Sequence, residues 1–271
     1  MKASVIIPCK GRPELLDRLL ISIINSRNAD SCEIIVVDDF SEPEIQSNKL
    51  REQDKIIRLP RSSGAAVARN VGIDRAIGDV IYLIDSDDVV LFRDFITDSD
   101  FALSNNCLCF SSVHSQNYKS KFPSEVNKSD FFYRVLVDNP FLCQTSSLYF
   151  PKALGLEFDE SLPKHQDWDF VYSQVLRRGI PVKKGPGLIF FDRSDKSSLS
   201  RKRESSLSEP WLHKMYNSNS YSDMNFLKYH LVGQYKDSFS LYCFITQSIK
   251  YLVTRRLTFI TFLKKCYVRF F

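Results

Sequence analysis

A chain of 271 residues with 44 % hydrophobic and 13 % aromatic content can bury a real core, as one large domain or one domain with an appendage, which excludes a mostly disordered chain. The net charge of +5 belongs to one end: residues 241–271 hold six lysines and arginines and no acid, so the first 240 residues sum to about −1. Seven cysteines (9, 32, 107, 109, 143, 243 and 266), odd in number and without CxxC spacing, argue against a zinc or dithiol redox site and suit reduced thiols in a cytosolic protein.

The first element, "ASVIIP" at 3–8, is too short for the apolar region of a signal peptide and breaks at Pro8, so nothing in it directs export. With "EIIVVD" at 33–38, "KIIRLP" at 55–60 and "VIYLID" at 80–85 it makes a set of short β-branched runs, continuous rather than alternating, as strands buried on both faces should be. Between the first two, Leu15, Leu16, Leu19, Leu20, Ile23 and Ile24 recur at helical spacing after Pro13, a residue accepted in a first helical turn. A second helix is predicted over "GAAVARNVGIDRAIG", 64–78, its small residues implying close packing and Gly78 a C-terminal cap. The order predicts an α/β fold, a mostly parallel sheet with helices on both faces.

Beyond residue 90 the pattern is mixed: a helix near 92–104, strands "CLCFSSV" and "QTSSLYF", a helix from about 166 to 178 and a strand "GLIFF" at 187–191. In "CLCFSSV", Cys107 and Cys109 share one strand face and read as packing residues. Residues 192–210 are serine-rich and too polar to pack, and read as a mobile loop, while 211–271 look helical. The expected organisation is a domain over 1–205, with a nucleotide-binding part at 1–90 and an acceptor part at 91–205, followed by a helical extension at 206–271.

Five acids fall at strand ends. In an open α/β sheet, ligands bind beyond the carboxyl ends of the strands, so Asp38, Asp39, Asp85, Asp87 and Asp88 should gather on one anionic rim. Crowded carboxylates raise one another's pKa unless a cation or hydrogen-bond donors lie among them. The Asp85-Ser86-Asp87 turn offers hard oxygen ligands for magnesium or manganese, with a substrate diphosphate supplying others. Any one of these aspartates could instead cap a turn or helix; a "DSDD" beside a "VVDD" favours the ligand role.

"SVIIPCKGRPELLDRLLISI", "EIIVVDDFSE", "GAAVARNVGIDRAIGDVIYLIDSDD" and "HQDWDF" resemble, in order and spacing over roughly residues 2–200, the inverting glycosyltransferases of family 2. The resemblance implies the GT-A fold, Rossmann-like, with a mixed and mostly parallel sheet. It implies that Pro8 and Cys9 line the nucleotide pocket, that Asp39 hydrogen-bonds the base, typically uracil, and that Arg69 and Asn70 shape the nucleotide side. By the same resemblance Asp85 lies near the ribose and diphosphate, Asp87 binds the divalent Mn2+ or Mg2+, and Asp167 is the catalytic base. Inversion needs such a set, a base for the acceptor hydroxyl and a charge sink for the leaving group.

The chain departs from the family pattern at several points. Gln166 stands where relatives often have Glu, and Cys9-Lys10-Gly11 where they often have Thr-Tyr-Asn, which weakens the uracil assignment. "RSDKSSLS" resembles the family's Arg-x-His-x-x-Ser-x-Ser loop, so Arg193 would reach the diphosphate and the loop would close on the donor; a solvated linker is the other reading. "QVLRR" is unlike the processive-synthase signature and reads as a helix end, so transfer of one sugar is expected. His165 neighbours Asp167 and could approach the acceptor. An N-terminal helix position would also suit Asp167 as a merely helix-stabilising acid, with Asp169 its rival.

Residues 241–271 form an imperfect amphipathic, basic and aromatic stripe, and no window of 18 residues is free of charge, which disfavours a spanning helix. The stripe suits an anionic membrane surface or, alternatively, the catalytic domain or a second copy in a homodimer. No nucleic-acid module accompanies it. The expected activity is a metal-dependent hexosyl- or N-acetylhexosaminyl-transferase using a nucleotide-sugar donor, such as a UDP-sugar. Its acceptor would be a saccharide or lipid-linked saccharide of lipopolysaccharide, O-antigen or capsule, at the cytoplasmic face of the plasma membrane. The alternatives are a non-catalytic sugar-nucleotide or glycan-binding protein on the same fold, and a nucleotidyltransferase.

Overall fold

The computed structural model describes residues 2–116, 118–119, 122–129, 131–135, 142–191 and 205–217, with positions 249 and 253. These fall into two compact units. The first holds the described parts of Met1–Phe131, Phe141–Glu160 and Gln166–Asp195; the second holds those of Phe132–Pro140, Ser161–His165 and Lys196–Phe271.

The first unit is built in the order β1 (Ala3–Cys9), α1 (Pro13–Ile24), β2 (Cys32–Asp38), β3 (Lys55–Arg58), α2 (Ala65–Arg75), β4 (Val80–Leu83), β5 (Val89–Phe92), α3 (Phe95–Asn105) and β6 (Leu108–Ser115). There follow β7 (Tyr118–Lys119), β8 (Glu125–Val126), α4 (Phe131–Tyr133), of which Phe131 alone belongs to this unit, β9 (Leu148–Pro151), α5 (Gln166–Asp169) and β10 (Val182–Phe190). The sheet runs β3-β2-β1-β4-β9-β6-β10-β5. Its first four strands are parallel, β9 is antiparallel to β4 and to β6, and β10 runs parallel to β6. This is the mixed α/β sheet expected from the sequence.

Continuous apolar runs give β1, β2 and β4 two buried faces. On one face Val5, Ile7, Ile34 and Val36 join Leu16, Leu19, Leu20 and Ile23 of α1 and Phe95 and Ala102 of α3. On the other lies α2, so close that a Cβ on Gly72 would stand 2.3 Å from Ile6 Cγ2. The helix can sit at this depth only because position 72 has no side chain, which is the close packing its small residues predicted.

One expectation is corrected. Gly78 is not the C-terminal cap of α2; Ala76 holds that position. Gly78 instead meets β1, where a Cβ would fall 2.3 Å from the Ala3 carbonyl carbon, and its N–H donates to Ser4 Oγ at 2.8 Å. The run after "DSDD" is also a strand: β5 pairs antiparallel with β10 at the sheet edge, hidden in the sequence because four residues beside an acidic turn carry no clear period.

Below the rim, Arg93 is buried at 1 % exposure and pairs with Asp98 at 3.0 Å and Ser111 at 2.9 Å. Its guanidinium lies over the rings of Tyr82 and Tyr149, 4.9 and 5.0 Å from their centroids. Gly187 leaves room for it, since a Cβ there would be 2.9 Å from Arg93 Nη1.

In the second unit, a single turn at Ser205–Leu207 leads into α6 (Glu209–Asn217). The polar loop expected through residue 210 therefore ends earlier. Ser208 is fully buried because its hydroxyl meets His165 Nε2 at 2.8 Å, and Trp211 packs edge-on against Phe132 at 5.4 Å. Residues 192–204 and the basic stripe at 241–271, apart from 249 and 253, lie outside the described residues.

Candidate active site

The carboxyl ends of β1, β2 and β4 bring the acids to one rim, and their partners divide them into two groups. Asp38 is structural: fully buried, it accepts from Ser41 N at 2.8 Å and pairs with Arg58 at 2.7 Å, and these donors hold its carboxyl below the usual range despite burial. Asp88 is also fully buried and accepts from the Ser146 hydroxyl, which in turn accepts from the Asp85 N–H at 3.0 Å. Ser146 thus fixes the "DSDD" turn from a distant segment, and no sequence signal marks it.

Asp85 and Asp87 are the outward pair, each facing an arginine. Asp85 Oδ1 accepts from Arg69 Nη2 at 2.7 Å. Asp87 lies 3.7 Å from Arg12, and its backbone carbonyl accepts from Arg18 at 2.6 Å. Arg12 and Arg18 escaped the sequence reading, although "KGRPELLDR" places three cations just past β1. Among the described residues no three His, Cys, Asp or Glu side chains converge on one point. Magnesium or manganese binds through one or two carboxylates with substrate phosphates completing the shell, and Asp85 and Asp87 are the residues that would supply those carboxylates.

Cys9 ends β1 at this rim, buried, with its thiol donating to the Gly11 carbonyl at 3.4 Å; burial pushes the thiol up to about 11, so it stays protonated. Pro8 precedes it on the same strand. Asp39 is occupied: its carboxylate accepts from the N–H groups of Ser63 (2.5 Å) and Gly64 (3.1 Å) and from the Ser62 hydroxyl (3.1 Å), tying the head of α2 to β2. Asn70 is engaged by the segment before α5, including the Glu160 carboxylate at 2.9 Å. It donates to the Phe158 carbonyl at 2.9 Å and accepts from the Phe158 N–H at 2.8 Å.

Asp167 lies in the first turn of α5, after His165 in a left-handed conformation (φ 63°). Its rival Asp169 is fully buried and accepts from Ser173 in the helical segment that follows, which leaves Asp167 as the half-buried acid. Burial pushes the Asp167 carboxyl up to about 6; the Trp168 N–H, at 2.9 Å, and the Arg69 charge oppose the rise, and the Asp85 charge adds to it. Asp167, Arg69 and Asp85 are therefore electrostatic neighbours although 98, 16 and 82 positions separate them pairwise. In the second unit, burial pushes His165 down to about 3, so it stays neutral on Ser208 and offers no charge. Arg193 lies outside the described residues.

Residues 4–153 match the family described as Glycosyl transferase family 2. The chain belongs to that family. An uncharacterized glycosyltransferase of Rickettsia felis is 31 % identical over 159 residues, 57 % of this chain and 26 % of the relative, so the chain spans about a quarter of that relative's length. A Campylobacter jejuni relative, "GalNAc(5)-diNAcBac-PP-undecaprenol beta-1,3-glucosyltransferase", is 30 % identical over 173 residues, 58 % of this chain and 56 % of the relative. The solved structure of Staphylococcus aureus TarS 1-349 in complex with UDP-GlcNAc superposes with a TM-score of 0.62 at 16 % identity, covering 95 % of this chain and 82 % of that one. That likeness shows the fold, the GT-A fold expected from the sequence. For this family 2 chain, the structure brings Asp85, Arg69 and Asp167 together and sets Asn70 against Phe158 and Glu160.

Proposed function

We propose that this family 2 glycosyltransferase is an inverting, metal-dependent enzyme that moves one sugar from a UDP-sugar to a saccharide or lipid-linked saccharide of a bacterial surface glycan. The observation that carries the reading is the placement of a desolvated Asp167 beside Asp85 and Arg69. A carboxylate with a pKa near 6 is ionised at neutral pH, yet basic enough to take a proton from a hydroxyl as that hydroxyl attacks. Asp87, with Asp85, would hold Mn2+ or Mg2+, whose charge would stabilise the departing diphosphate.

Asp167 would accept the acceptor's hydroxyl proton while the oxygen bonds to the anomeric carbon from the face opposite the nucleotide. The bond from that carbon to the diphosphate breaks, the nucleoside diphosphate carries away the electron pair, and no covalent sugar-enzyme intermediate forms. The UDP donor is supported by the UDP-GlcNAc in the TarS complex, and the lipid-linked acceptor by the undecaprenol in the Campylobacter relative's name. No helix among the described residues is long and apolar enough to cross a membrane. The basic stripe at 241–271 is assigned to the anionic inner face of the plasma membrane, with Arg193 on the donor diphosphate.

The test is a panel of UDP-sugars with Mn2+, scored by thermal stabilisation and by release of nucleoside diphosphate. Release of inorganic diphosphate instead would turn the assignment to nucleotidyl transfer. Full turnover by an Asp167→Asn variant would remove the base assignment.

A further inference from the structure

Arg69 stands where the donor side and the base side of the site meet. Its Nη2 donates to Asp85 at 2.7 Å, and its Nη1 donates at 3.2 Å to Gln166 Oε1, on the residue before Asp167. One rigid, planar fork therefore spans from the end of β4 to the start of α5. Arg69 is 6 % exposed, and its guanidinium rests 5.1 Å over the ring of Phe158.

Phe158 is itself held from two directions. Asn70, the next residue on α2, clamps its backbone through both amide atoms, and its ring stacks at 4.3 Å on Phe170, which follows α5 directly. The Arg-Asn pair thus grips both the fork and its backing. Arg69 Nε, buried, has no hydrogen-bond partner. With Gln166 neutral, the Arg69 charge is matched at the fork by Asp85 only, and it stays within electrostatic reach of Asp167.

We infer that Arg69 is a positioning residue of the transfer step: backed by Phe158 and Asn70, it sets the separation of Asp85 from Asp167 and acts on the acceptor through Gln166 and Asp167 without touching it. This rests on the reading of Asp167 as the base. Misplacement of a base by an ångström costs on the order of a hundredfold in rate, so cutting either arm of the fork should appear in kcat.

The experiment uses the full chain with Mn2+ and UDP-sugars, water or saccharide as acceptor, and variants Gln166→Leu, Arg69→Lys and Arg69→Gln, each alone and combined with Asp167→Asn. Gln166→Leu, which cuts only the base-side arm, should lower kcat about tenfold and leave UDP affinity within about twofold; Arg69→Gln should cost about a hundredfold, and Arg69→Lys should recover part of it. None of the three should lower kcat further once Asp167 is Asn, because effects exerted through one residue do not add.

A second readout needs no substrate. The difference in Tm between each protein and its Asp167→Asn partner, followed against pH, reports the Asp167 titration; its midpoint should rise by at least about half a pH unit in Arg69→Gln and hold in Arg69→Lys. Losses that add in the double variants, wild-type kcat in Gln166→Leu, or a midpoint unmoved in Arg69→Gln would each overturn the inference. Should the wild type release UDP from no sugar tested, the UDP-sugar reading fails, and the midpoint alone decides the role of Arg69.

Discussion

Replacing Asp167 by Asn should remove turnover and, at neutral pH, make the protein more stable. Desolvation raises this carboxyl from 3.8 to about 6, so the folded state binds its proton more tightly than the unfolded chain does. The ionised form is then a cost of folding that is fully present above about pH 6 and disappears as pH falls through the interval down to about 4. At about 1.4 kcal/mol per pH unit the cost is at most about 3 kcal/mol; for a half-buried group partly offset by a neighbouring guanidinium, about 1–2 kcal/mol is expected. For a domain of this size that corresponds to a Tm higher by about 2–6 °C in the Asn variant at pH 7.5, converging with wild type below about pH 4. Differential scanning fluorimetry across pH 4–8 measures the stability half, and release of UDP the catalytic half, where a loss of at least about a hundredfold is expected. A variant that is less stable than wild type at pH 7.5, or whose Tm difference ignores pH, would refute the desolvated carboxylate on which the base assignment stands.

The remaining predictions are narrower. Asp87→Ala should abolish the Mn2+-dependent part of UDP binding in calorimetry while leaving Tm within about 2 °C, since the carboxylate lies at the rim with an exposed arginine opposite. The acid limb of the pH-rate profile should fall near pH 6, where Asp167 takes its proton, and vanish in any residual activity of Asp167→Asn. Arg93→Met, which strands Asp98 in the interior, should cost about 3–5 kcal/mol in denaturant unfolding, whereas replacing Asp98 together with Arg93 should cost less. Gly78→Ala should destabilise by about 1–3 kcal/mol or more, because the new methyl would overlap the β1 backbone.

How far the sequence carried depended on whether a feature leaves a local trace. The parallel half of the sheet was legible because β1, β2 and β4 are apolar on both faces, and α1 because Pro13 and the leucine stripe mark its start and buried side. The rim acids were legible because strand ends are where ligands gather. What stayed hidden was long-range. That Asp38 and Asp88 are structural, and Asp85 and Asp87 outward, depends on Arg58, Ser146, Arg69 and Arg12, residues from separate segments. The Asn70 amide meets the Phe158 backbone through both its atoms, 88 positions away, and also the Glu160 carboxylate, a match that no spacing rule encodes. Ser208 looked like part of a polar linker because a buried serine is recognisable only once its histidine partner is known.

The missing side chain at Gly72 has a practical consequence for mapping this protein by mutation. The depth at which α2 rests on β1 also sets how far Arg69, one turn earlier on the same helix, reaches towards the end of β4. Any substituent at position 72 would lift the helix and carry the fork away from its carboxylate. A saturation library scored only by product would therefore rank Gly72 beside Asp85 and Asp167 as intolerant, a hydrogen atom counted with the chemical groups. Scoring the same library for folded yield would separate them: Gly72 variants would be lost there, and Asp167→Asn would be enriched.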